Sequence, residues 1–193
     1  SNGVILITTK KGSDGKMKIT YDGNVSVSTR KKGIDVMDGD EFRAFVTANF
    51  AGLTTYDEVV NQLGTENTNW QDEIFQTAIS TDHNLSIFGN ANNVLPYRAS
   101  FGYTNLEGIL KTSAMERYTG SFSLSPSLFN NNLKISLNGR GMYSKNRFAD
   151  QSAIGEAINM DPTKPVYDEK SPYGGYYTWV GSTNQIIQVA TKN

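Results

Sequence analysis

The 193-residue sequence contains no cysteine and a single histidine, His83. Without thiols there are no disulfides and no thiolate metal sites, although this does not identify a compartment. One imidazole cannot build a histidine metal cluster. A Ser-His-Asp arrangement on His83 would also need a nucleophile-elbow string, and none accompanies it, so His83 reads as a strand-end residue without a catalytic role. An excess of one charge is missing too. Lys and Arg number 18 and Asp and Glu 19, a net charge of −1, which gives no reason to expect nucleic acid or an anionic membrane surface as partner. Long apolar runs are absent as well. The longest aliphatic stretch is Val4, Ile5, Leu6 and Ile7, far below the ~20 residues of a helical membrane span. No signal peptide opens the chain; it starts Ser1-Asn2-Gly3 and enters a strand-like run at once, so it reads as a piece of a longer protein.

What the sequence does have is alternation. Met17, Ile19, Tyr21, Gly23, Val25 and Val27 fall on one side of an extended segment, and Lys18, Thr20, Asp22, Asn24 and Ser26 on the other. Eleven residues rising ~3.3 Å each and tilted ~45° span roughly 25 Å, the height of the apolar band on an outer-membrane barrel. Further strands are expected near 83–90, 97–105, 117–125 and 133–144, besides the first at 17–29. Phe88 and Met142 break the pattern. No charged residue falls on the apolar side of any of the five, which a lipid face and a sandwich core would both require. Tyr21, Tyr97, Tyr103, Tyr118 and Tyr143 lie mostly toward strand ends, where an aromatic girdle would sit.

Connections are unequal. Short turns are expected around 91–96 and 126–132, and long excursions at 30–81 and 145–193. Helical spacing within the first excursion predicts short helices after Asp38, over 55–63 and over 69–75, and another is predicted over 151–160. Short turns at one end and long loops at the other suit a membrane barrel, and a soluble sandwich can share that asymmetry.

Particular strings carry a resemblance. Gly3-Val4-Ile5-Leu6-Ile7-Thr8-Thr9-Lys10-Lys11-Gly12 resembles the end of the plug domain in TonB-dependent outer-membrane receptors. Thr68-Asn69-Trp70-Gln71-Asp72-Glu73-Ile74-Phe75 is similar to a segment of the SusC/RagA branch of that family. Tyr97 to Tyr103, Glu107-Gly108-Ile109-Leu110-Lys111, Arg117-Tyr118 and Asp161-Pro162-Thr163-Lys164-Pro165-Val166-Tyr167 continue it in order. The resemblance implies a mainly β fold: an antiparallel transmembrane β-barrel segment with short helices in long extracellular loops, preceded by the last strand of a plug. Residues 1–15 would end the plug, and 16–193 would begin a 22-stranded barrel in the Gram-negative outer membrane. It further implies TonB-dependent import of oligosaccharides or oligopeptides under a SusD-like surface lipoprotein, with TonB engaged through an upstream segment outside this chain. No cofactor and no enzymatic step are implied.

Candidate chemistry is sparse. Asp35, Asp38, Asp40 and Glu41 lack calcium-loop spacing and read as charge at a helix N-terminus, so no metal site is expected. Residues 12–16 lack phosphate-loop spacing. Tyr173, Tyr176, Tyr177 and Trp179, set among glycines, could stack on sugar rings or grip a peptide, or could simply pack their loop. Trp70 reads as a helix-packing anchor. Two other classes remain open: a soluble β-sandwich carbohydrate-binding module using the aromatic cluster, and a secreted hydrolase, for which no acid/base pair is evident.

Overall fold

The structure, a computed structural model, describes residues 16–130, 132–180 and 186–187. The expected plug end, 1–15, and most of the final loop beyond 180 lie outside the described residues. The described residues divide into two compact units, the first holding 16–27, 79–107, 114–130 and 132–146, the second 28–78, 108–113, 147–180 and 186–187.

Five strands form one sheet: β1 (Lys18–Ser28), β2 (Ala78–Ala91), β3 (Leu95–Glu107), β4 (Ala114–Leu124) and β7 (Leu137–Arg147), in the order β1-β2-β3-β4-β7. β2 pairs antiparallel with β3 and β3 with β4, so His83 faces Tyr103 and Tyr103 faces Tyr118. Strands β5 (Ser127–Leu128) and β6 (Leu133–Lys134) form a small separate ladder. The expected strand at 133–144 is therefore two pieces. β2 also starts five residues before its expected position, because Thr81 and Asp82 hide an alternation that Ala78 and Ser80 carry by being buried. Between β2 and β3 the chain reverses at Asn92 and Asn93, whose φ values of 51° and 58° and the Val94 N–H to Ala91 carbonyl bond of 3.1 Å make a type I′ turn. Asparagine tolerates that left-handed region better than most residues.

The sheet is inverted relative to a water-soluble one. Phe101 and Phe122, on the apolar side, are 54% and 52% exposed, while Ser86 and Thr104, on the polar side, are 2% and 6% exposed. A sheet stable in water buries its apolar face. Here long polar-side residues cover short ones: the Arg98 guanidinium lies 5.0 Å from the Phe88 ring centroid and donates to the Ser86 hydroxyl. Phe88, out of pattern in the sequence, thus serves as a platform for a cation.

On the apolar side one row of rings crosses the whole sheet. Tyr21, His83, Tyr103, Tyr118 and Tyr143 contact one another in sequence, at centroid distances of 6.0, 6.4, 5.0 and 6.4 Å. The Tyr21 hydroxyl and His83 Nδ1 are 2.6 Å apart. Aromatic pairs of this kind add about 0.5–1.5 kcal/mol each beyond the area they bury.

The second unit carries the helices α1 (Gly39–Phe50), α2 (Tyr56–Asn61), α3 (Trp70–Ile74) and α4 (Ser152–Asn159), where the spacing places them. Asp38 caps α1 through a reciprocal box: its carboxylate accepts from Glu41 N–H, and the Glu41 carboxylate accepts from Asp38 N–H. The core of this unit is Trp70, Ile74, Ala153, Ala157 and Met160, flanked by Phe75, Leu110, Val166 and Tyr177. Among the described residues no helix is long and apolar enough to cross a membrane, which says nothing of a β-barrel, whose strands do the crossing.

Candidate functional site

In the first unit the polar side of the sheet is a connected network. The Thr104 hydroxyl donates to Asp82 over 2.6 Å and accepts from Arg117 at 3.3 Å, which links the carboxylate and the guanidinium through one hydroxyl. Ser100 and Ser121 share a 2.7 Å bond across the β3–β4 pair. Arg140 lies on the same side of β7, exposed. This surface offers hydroxyls and charges to water or to a polar occupant.

In the second unit, residues distant in sequence meet on α3. The Trp70 indole N–H donates to the Asp161 carbonyl over 2.8 Å. Asp161 Oδ1 accepts from both the N–H and the hydroxyl of Thr163, at 2.8 and 2.7 Å, which closes a tight turn. That turn docks on 64–68. Gly64 N–H donates to the Thr163 hydroxyl, Glu66 N–H to the Thr163 carbonyl, and Thr68 to the carbonyls of Pro162 and Lys164. A Cβ at Gly64 would stand 1.9 Å from the Thr163 carbonyl oxygen, so only glycine permits the approach. Residues 108–113 join the same body: Lys111 N–H donates to the Ile74 carbonyl and Gln76 N–H to that of Ile109.

The four aromatic candidates separate. Residues 166–177 form a hairpin in which Tyr177 N–H donates to the Val166 carbonyl and Asp168 N–H to that of Gly175, with positive φ at Gly174 and Gly175 making the reversal. Tyr173 and Tyr176 sit on this hairpin, and Tyr176 meets Tyr167 at 5.2 Å between centroids. Tyr177 turns inward to the Trp70 cluster and lines a 440 Å³ cavity with Phe42, Val46, Val59, Asp161 and Lys164. Burial, and then the carboxylates of Asp161 and Asp168, hold its phenol above the usual tyrosine range. Trp179 lies in β8 (Trp179–Val180), paired with β9 (Ile186–Ile187); its side chain is outside the described residues. The exposed ring missed by composition alone is Tyr167, which the two glycines opposite it bring beside Tyr176. Trp70 is a packing anchor, 3% exposed. Among the described residues no three His, Asp or Glu side chains converge as metal ligands.

No protein-family model matches the sequence. Individual proteins do. The TonB-dependent receptor SusC of Bacteroides thetaiotaomicron is 49% identical over 188 residues, which is 95% of this chain and 18% of that protein. The TonB-dependent receptor P26 of Formosa agariphila is 30% identical over 203 residues, 98% of this chain and 20% of that protein. Among solved structures, a chain of the RagAB peptide importer in its closed-closed state superimposes with a TM-score of 0.57 at 25% identity, covering 74% of this chain and 19% of that one. The chain belongs to the SusC/RagA family of TonB-dependent receptors.

Within this SusC/RagA chain, the strings that carry the resemblance are now places in the fold. Trp70 and Gln71 of α3, Leu110 and Lys111 of the 108–113 link, and the Asp161–Lys164 turn pack on one another. The mainly antiparallel β architecture with a few short helices is that of the RagAB neighbour. The chain spans about a fifth of the length of the relatives it matches, 18% of SusC and 20% of P26.

Proposed function

We propose that the chain is a stretch of barrel wall and surface loops from an outer-membrane importer that takes up oligosaccharides or oligopeptides with energy delivered through TonB. The inverted sheet carries this reading: apolar side chains such as Phe101 and Phe122 stand exposed while Ser86 and Thr104 are covered. Lipid is the surrounding that makes such a sheet stable, and the row from Tyr21 to Tyr143 marks the height of a membrane–water interface. The polar side, with Lys18, Asp22, Arg98 and Arg140, then faces the lumen or the plug. Residues 1–15 would be the last strand of that plug. A SusD-like lipoprotein would cover the loops, and Tyr173, Tyr176 and Trp179 would meet the cargo or the lid, while Tyr177 anchors their hairpin to the Trp70 cluster. Transport makes and breaks no bond in the cargo, so the protein is not an enzyme.

The soluble sandwich needs a second sheet over Leu85, Phe101 and Phe122, and all three are exposed. The test is uptake. Cells carrying the full-length receptor should accumulate labelled oligosaccharide or oligopeptide, and lose that uptake when TonB is deleted. Uptake that persists without TonB, or a receptor recovered in the soluble fraction, would end the proposal.

A further inference from the structure

The second unit also holds a 670 Å³ groove lined by 34–38, by 67–71, and by 157–162 with Phe42. Residues 29–38 run without turn, bend or ladder. Among the described residues no hydrogen bond reaches the main-chain groups of Asp35, Val36 or Met37. Ile34 shows what such a run accepts. The Gln71 carboxamide accepts from Ile34 N–H at 2.9 Å and donates to the Ile34 carbonyl at 2.7 Å, the two-bond exchange that a facing residue of an antiparallel strand makes. Gln71 is itself buried, so this side chain is a fixed imitation of one strand residue beside an otherwise open edge. An open edge is a template for strand addition.

The lining also says what should add. Ile34, Val36, Met37, Ile158 and Met160 give it an apolar surface, and its charged residues are Asp35, Asp38 and Asp161, with no cation among them. Lys32, outside the lining, pairs with Asp35 at 2.9 Å, and Asp38 caps α1, so the acidic character is moderated but keeps its sign. We propose that this groove takes an extended peptide bearing Lys or Arg at alternate positions, paired through its main chain to 35–37. The proposal rests on the import reading and deepens it: the cargo class held at the loops is a cationic peptide.

The experiment uses the full-length receptor in detergent and fluorescein-labelled acetyl-Val-Lys-Val-Lys-Val-amide as probe, followed by fluorescence anisotropy. Saturable binding is expected. It should weaken about tenfold or more when Glu replaces Lys in the probe, when alternate amides are N-methylated, and in the receptor variants Asp35→Lys and Ile158→Trp. Equal binding of the N-methylated or Glu probes, or no response to either variant, overturns the proposal. So does the absence of saturable binding, the result expected if another part of the receptor fills the groove. Peptide binding without uptake in cells would sink the import reading and leave the groove standing. Uptake without binding here would sink the groove alone.

Discussion

The Trp70 indole donates to the carbonyl of Asp161, ninety-one positions further along the chain, and this bond ties α3 to the turn that follows α4. Trp70→Ala should therefore cost about 3–5 kcal/mol through the emptied core site, whereas Trp70→Phe should cost less. The phenylalanine variant keeps much of the packing and leaves the Asp161 carbonyl without its donor, a penalty of about 1–3 kcal/mol. Denaturation of the full-length receptor, with limited proteolysis near 161, would rank the two. Equal losses would show that the ring packing adds nothing beyond the hydrogen bond, and a Trp70→Phe protein as stable as its parent would show that the bond contributes nothing.

The two sides of β3 should respond very unequally to the same charge. Phe101→Lys puts an ammonium on the exposed apolar side and is expected to cost ~2–4 kcal/mol in folding into bilayers. Ser100→Lys, one residue away, loses at most the Ser121 hydrogen bond, about 1 kcal/mol. Urea titration of refolded receptor in lipid vesicles measures both. A Phe101→Lys protein as stable as its parent would contradict a lipid surrounding.

Gly64→Ala should displace the Asp161–Lys164 turn, because the new methyl meets main-chain oxygen and not a flexible side-chain end. A loss of about 1–3 kcal/mol is expected. Gly155 in α4 is the control, since a Cβ there meets nothing within 4 Å; Gly155→Ala should be neutral or stabilising by roughly 0.5–1 kcal/mol. Thermal melts of the two variants side by side decide it.

Alkaline pH should weaken the second unit through Tyr177. Its phenol is held above the ordinary tyrosine range, first by burial and then by Asp161 and Asp168, so the folded state keeps a proton that the unfolded chain releases. Its contribution is fully present below the unfolded value near pH 10 and fades as pH rises through the folded value. Tyr177→Phe should flatten that alkaline decline. An unchanged slope in a pH series of melts would exclude Tyr177 as its source.

Much of this was legible as periodicity, and the reasons for the rest are physical. Period-two runs located β1, β3 and β4, because alternate side chains there face unlike surroundings. Acidic residues before apolar spacing located α1, where the reciprocal bonds of Asp38 and Glu41 give those charges their place. The split between β6 and β7 was not legible, since Leu133, Ile135 and Leu137 keep the alternation while the ladder at 135–136 is absent. Nor was the docking of Thr163 on Gly64, because the two are 99 positions apart and no local period records such a contact. Tyr177 looked equivalent to Tyr173 and Tyr176 in composition. Only its packing against the Trp70 cluster shows that it belongs to the core side of the hairpin.

Because neighbours along β3 and β4 look in opposite directions, a reporter's position number alone would decide what it senses. An environment-sensitive dye on a cysteine placed at Ala99 or Gly120 should emit blue-shifted and resist aqueous quenchers. The same dye at Ser100 or Ser121 should emit red-shifted and yield to them.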